Sequence, residues 1–66
     1  MQIQLNGESR SIPDHSNAQD LVELLELTGK RLAMEVNREI VPRTTYTQYR
    51  LREGDQIEIV HAIGGG

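Results

Sequence analysis

Gln56-Ile57-Glu58-Ile59-Val60-His61-Ala62-Ile63 carries apolar side chains on both sides of an extended chain. Side chains alternate in a strand, so Ile57, Ile59 and Ile63 share one face and Val60 and Ala62 the other. A strand that is apolar on both faces belongs inside a sheet rather than at its edge. Such a strand needs a neighbour on each side. The first neighbour is Met1-Gln2-Ile3-Gln4-Leu5, where apolar and polar residues alternate with period two. Asn6-Gly7 follows, a pair that tolerates the positive φ values of a type I′ turn, so the chain doubles back through Ser9–Ile12 until Pro13 stops it.

Between these two strands the period changes. Asn17 followed by Asp20 forms a variant capping box. Leu21, Leu24, Leu25 and Thr28 then fall at i, i+3, i+4 and i+7, with Val22 and Leu27 flanking that stripe and Glu23 and Glu26 opposite it. Gly29 is placed to be the residue just past the helix end, beside Lys30 and Arg31. Leu32-Ala33-Met34-Glu35-Val36 predicts a strand with Leu32, Met34 and Val36 on one face. Asn37-Arg38-Glu39 predicts a turn and Ile40-Val41 a short strand closed by Pro42. Thr44–Tyr49 has no period and predicts an irregular turn that packs one or both of its tyrosines.

Strands, one helix and strands again predict an α+β fold, a mixed four- to five-stranded sheet with one helix across one face. The first and last strands lie side by side and parallel in the middle, and parallel neighbours require a long crossover, here containing the helix. This is the ubiquitin-like β-grasp arrangement, with a domain over 1–63 and a flexible Gly-Gly-Gly tail over 64–66.

The chain has 66 residues, enough for one small domain and too few for a deep, water-excluding cleft. It has no cysteine, which excludes disulfides, thiolate metal sites and a thiol nucleophile. Ten acidic against seven basic residues give a net charge of −3, and the basic residues are spread out, which argues against nucleic-acid binding. No apolar run reaches membrane-span length and the start does not read as a signal peptide, so a cytoplasmic protein, a monomer when free, is expected.

His15 and His61 lack the partners of a metal site, so no metal ligand is expected. His61 shares its face with Ile57 and Ile59 and reads as a cap on the core edge or part of a partner surface. Ser9, Ser11 or Ser16 with His15 and Asp14 could be drawn as a triad, but no nucleophile elbow accompanies them, and loop and capping chemistry explains them better. Glu23 and Glu26 read as a solvated helix face. No catalytic residue is expected.

Gly64-Gly65-Gly66 helps neither strand nor helix, because glycine loses the most backbone entropy on ordering. It can, however, thread a channel too narrow for any side chain, and Ile63–Gly66 reaches at most about 13 Å. The reactive group would then be the carboxylate of Gly66, presented to another protein's active site.

The opening Met-x-Ile-x-Leu-Asn-Gly-Glu, the run Asp-Leu-Val-Glu-Leu-Leu, Ala33–Arg43 and Leu51–Gly66 strongly resemble the ThiS family, the sulfur carriers of bacterial thiamine biosynthesis. The resemblance spans residues 1–66, and Val36–Arg43 and Gly54–Gly66 are its most specific parts. Asn17 stands where the family often has Thr, and Tyr46 where an aromatic, often Trp, is usual. The resemblance implies that the chain is a carrier and not an enzyme, with no bound cofactor. A ThiF-type adenylyltransferase would activate the Gly66 carboxylate with ATP, and sulfur from a desulfurase would displace AMP to leave a thiocarboxylate. Thiazole synthase, ThiG, would take that sulfur into the thiazole phosphate. Having no side chains, Gly64 and Gly65 would thread the partners' active sites, and the apolar Val60 and Ala62 on the strand face away from the helix point to that sheet face as the docking surface. The sulfur carrier of molybdopterin synthesis and a ubiquitin-like protein modifier share the fold and the glycine tail and remain the alternatives.

Overall fold

Asn6 and Gly7 adopt φ of 50° and 84°, both left-handed, as a type I′ turn demands. They join β1 (Gln2–Leu5) to β2 (Glu8–Ser11) as a two-residue hairpin in which Leu5 faces Glu8. These coordinates are those of a computed structural model, which describes residues 1–61. Ala62, Ile63, Gly64, Gly65 and Gly66 lie outside the described residues, as does the boundary expected between 1–63 and 64–66.

The expected capping box starts α1 (Ala18–Leu24). The Asp20 backbone N–H donates to Asn17 Oδ1 at 2.7 Å, and the Asn17 N–H donates to the Asp20 carboxylate at 2.9 Å. The buried stripe is different from the expected one. Ala18, Leu21 and Val22 are buried and Leu25 half-buried, whereas Leu24 is 46% exposed and Thr28 is exposed. Positions 18, 21, 22 and 25 form one face of the helix, and a leucine-rich segment offers more than one such stripe. Ala18 opens the buried face with no exposed surface, and its N–H donates to the Tyr49 carbonyl at 2.9 Å, which ties the start of the helix to the chain at Tyr49.

The helix also ends sooner than Gly29 indicated. The Glu26 N–H donates to the Glu23 carbonyl at 3.0 Å and the Leu27 N–H to the Val22 carbonyl at 2.9 Å, the bond pattern of a Schellman motif. Glu26, with φ of 59°, is therefore the left-handed residue past the helix end. Gly29, with φ of 82°, serves a following turn in which the Lys30 N–H donates to the Leu27 carbonyl.

The chain then runs through β3 (Leu32–Val36), a turn at Asn37-Arg38, β4 (Glu39–Ile40), a 3-10 helix (Arg43–Gln48) and β5 (Gln56–His61). The sheet has five strands in the order β2-β1-β5-β3-β4. β1 and β5 pair in parallel, Gln4 beside Gln56, and β5 pairs antiparallel with β3 from Leu32–His61 to Val36–Ile57. The last strand is thus the central one, as its two-sided apolarity implied.

The core lies between sheet and helix. Ile3, Met34, Val36, Ile57 and Ile59 come from the sheet, and Ala18, Leu21 and Val22 from the helix, while Ile12, Val41, Tyr46 and Leu51 close the sides. Each such aliphatic side chain contributes about 1.5–3 kcal/mol when fully buried. Of the two tyrosines Tyr46 is buried and Tyr49 half-buried. Burial pushes the Tyr46 phenol above its usual pKa, partly offset by the charge of Arg43 and a backbone hydrogen bond at Met34.

Candidate functional site

The sequence puts its one unusual chemical feature, the glycine tail, directly after β5. How the fold holds β5 therefore fixes the position of His61, the last described residue before the tail. β5 is held on both sides by backbone pairing, and two asparagine side chains add to the grip. The Ile59 N–H donates to Asn6 Oδ1 at 2.9 Å, and Asn6 Nδ2 donates to the Ile59 carbonyl at 3.3 Å. The Asn6 amide thus imitates one more residue of β1 where the backbone has already turned away. On the other side the Asn37 N–H donates to the Gln56 carbonyl at 2.7 Å, the Gln56 N–H to Asn37 Oδ1 at 3.0 Å, and Asn37 Nδ2 to Asp55 Oδ1 at 3.1 Å. Both asparagines occupy left-handed turn positions, φ 50° and 52°, so each serves its turn and β5 together. The strand is fixed to its end at His61.

Val60 is 71% exposed and points away from the helix, as its parity predicted. Ala33 is its cross-strand partner on β3 and is exposed beside it. One row further along, Glu58, Glu35 and Ile40 line up across β5, β3 and β4, and Ile40 is 64% exposed. The sheet face away from the helix therefore presents an apolar patch of Val60, Ala33 and Ile40 around a pair of carboxylates. Ala33 and Ile40 escaped the sequence reading. Parity within each strand places both on this face, but strand pairing alone brings them together. Ala62, expected in the same patch, lies outside the described residues, as do Gly64, Gly65 and Gly66.

The other residues singled out have ordinary structural duties. The Ser16 hydroxyl donates to the Pro13 carbonyl at 2.6 Å, and the Asp14 carboxylate receives the Met1 ammonium at 2.8 Å, so the hydrogen bonds of both go elsewhere than to His15. The hydrogen bond from that ammonium, and next its charge, hold Asp14 below the usual carboxylate range. His15 is exposed, at a left-handed φ of 69°. His61 is half-buried on the core side, and its Nδ1 has no hydrogen-bond partner among the described residues. Glu23 and Glu26 are exposed. Among the described residues no group of three His, Cys, Asp or Glu is placed to hold a metal ion, and no helix is long and apolar enough to cross a membrane.

Comparison with known proteins accounts for this combination of central last strand and glycine tail. A solved structure of a thiamine biosynthesis protein (ThiS) from Geobacter metallireducens superposes with a TM-score of 0.84 over 100% of both chains, at 23% identity, which shows the fold. The sulfur carrier protein ThiS of Bacillus subtilis is 38% identical over 65 residues, covering 97% of this chain and 98% of that protein. A thiazole synthase of Paramagnetospirillum magneticum is 38% identical over all 66 residues, and there the chain spans only 20% of the longer protein. The model of the ThiS family matches residues 3–66, from β1 through the glycine tail, and the chain belongs to that family.

Proposed function

We propose that this protein is a sulfur carrier of thiamine biosynthesis whose working group is the Gly66 carboxylate. The observation that carries the reading is the family match through Gly66, joined to a fold whose central strand, β5, ends at His61, five residues before Gly66 in the sequence. A carboxylate resists nucleophiles until it becomes a mixed anhydride. A ThiF-type adenylyltransferase supplies this activation: the Gly66 carboxylate attacks the α-phosphate of ATP, pyrophosphate leaves, and an acyl adenylate forms. Sulfur delivered by a desulfurase system then displaces AMP, leaving a thiocarboxylate. The thioacid is ionised at neutral pH and its sulfur is a strong nucleophile, so the carrier presents sulfide without releasing it. The protein is the co-substrate of its partners rather than an enzyme, binds no cofactor itself, and works in the cytoplasm.

Thiazole synthase is the acceptor of that sulfur. The match of the whole chain to a part of proteins named thiazole synthase supports the assignment. Gly64 and Gly65 thread the acceptor's channel, and ordering each tail residue costs about 1–2 kcal/mol of backbone entropy, which weakens docking enough for the carrier to leave again. The docking surface is the exposed sheet face that carries Val60, with Ala62 assigned to it by alternation along the chain.

The test is an intact-mass measurement after incubation with a ThiF-type enzyme, ATP, cysteine and a desulfurase. Replacement of one oxygen by sulfur, mapped to Gly66, supports the reading. An unchanged mass, with the enzyme active on another carrier, sinks it. A folded Val60→Asp, Ala62→Asp variant that transferred sulfur normally would remove the docking surface from the reading while leaving the chemistry of Gly66 in place.

A further inference from the structure

Two features of the exposed sheet face go against local stability. Glu35 and Glu58 are directly opposite each other in the β3–β5 register. Side chains so placed have Cβ atoms about 4.5–5.5 Å apart, and like charges there repel. Beside them Arg38 occupies the second position of a two-residue turn with φ of 70°. The same chain shows the relaxed solution at its other such turn, where Asn6 is followed by Gly7. Arginine in the left-handed region is strained where glycine is not. Glu35, Glu58 and Arg38 line one shallow depression together with Gln4 and Gln56. Yet they do not satisfy one another: among the described residues the ion pair within 4.0 Å is that of Met1 with Asp14. Repelling carboxylates and an arginine with a strained backbone, unpaired among the described residues, border the exposed Val60, Ala33 and Ile40. Departures from local rules concentrate where function requires them.

We propose that Glu35, Glu58 and Arg38 are the charge-reading element of the docking face. The occupant is a partner protein surface with an arginine or lysine opposite the two glutamates, a carboxylate opposite Arg38, and apolar side chains over Val60, Ala33 and Ile40. A cation between the glutamates removes their repulsion, so the complex relieves a conflict that the free carrier retains. Paired charges at such a site set orientation and speed encounter, while the apolar patch holds the complex. This proposal rests on the carrier reading above and names the chemistry of the partner's surface.

The test compares the wild-type carrier with Glu58→Gln and Arg38→Gly, each measured for thermal unfolding and for binding to thiazole synthase at low and high salt. Both variants are expected to melt higher than wild type and to bind about fivefold more weakly, with a shallower salt dependence. A structural role alone would not move stability and affinity in opposite directions. If both bind as wild type does, with the same salt dependence, the charge-reading proposal is overturned while thiocarboxylate formation at Gly66 stands. If the wild type itself does not bind thiazole synthase, the proposal falls together with the assignment of that acceptor, and the mass measurement alone decides the rest of the carrier reading.

Discussion

Glu26→Gly is expected to stabilise the protein, although glycine near a helix ordinarily does the reverse. In the structure Glu26 stands past the helix end at φ of 59°, and its backbone N–H, with that of Leu27, closes the last turn onto Glu23 and Val22. A residue with a Cβ atom in that region is strained by about 1–2 kcal/mol. Glycine removes the strain and returns about 0.5–1 kcal/mol of it as extra freedom in the unfolded chain. The net expectation is a gain of about 0.5–1 kcal/mol, since the Glu26 side chain is exposed and makes no hydrogen bond among the described residues. For a domain of this size that gain raises Tm by about 2–8 °C. Had the helix run on to Gly29, Glu26 would be an interior helical residue and the same change would cost about 1 kcal/mol. Urea and thermal unfolding of Glu26→Gly, with Glu26→Ala as the control that keeps the strain, separate the two by sign. A destabilised glycine variant would refute the assignment of Glu26 as the end of the helix.

Three further outcomes are expected. Asn6→Ala loses both the relaxed turn and the two hydrogen bonds to Ile59, and should cost about 2–4 kcal/mol in urea unfolding, whereas Asn6→Gly keeps the turn and should lose about 1–2 kcal/mol. Amide exchange at Ile59 should speed up in both. Asp14 should titrate below the usual carboxylate range by NMR, and acetylating the Met1 amine should move it back up. Because its folded pKa is depressed, its contribution to stability is present above the unfolded pKa and lost as pH falls through the folded one. Tyr46 is shifted the other way by burial, so the folded state holds its proton longer than the unfolded state does. Stability measured by urea unfolding should therefore fall as pH rises through about 10, the unfolded tyrosine value, and Tyr46→Phe should abolish that component.

Much of this fold was legible because its decisive features are local. Asn6-Gly7 can make one kind of turn, Asn17 and Asp20 cap each other within four residues, and the two apolar faces of Gln56–Ile63 leave that strand only the middle of the sheet. The helix end was misread because Gly29 is the obvious left-handed residue, while the chain uses Glu26 there and hydrogen bonds outweigh the strain. The buried stripe differs from the expected one because Leu24 and Leu25 compete in a leucine-rich segment, and the face of Ala18, Leu21, Val22 and Leu25 is the one that meets the core. At the site, the parity of Val60 was enough to expose it. The meeting of Val60 with Ala33, and of Glu58 with Glu35 and Ile40, depends on strand register between distant segments. Alternation within one strand carries no information about that register.

The placement of β5 also governs how the chain can fold. The β1–β2 hairpin and the β3–β4 hairpin do not pair with each other, and β5 is the strand that joins them. Asn6 reaches Ile59 across 53 residues of sequence, so the central contacts close long loops. A topology with such distant partners folds more slowly than a helical bundle of equal length, since closure entropy is lost before the contacts form. Neither hairpin has a sheet to belong to until Gln56–His61 is in place. The strand that precedes the glycines in the sequence is the one whose arrival completes the domain, so β5 is ordered only when the whole sheet is.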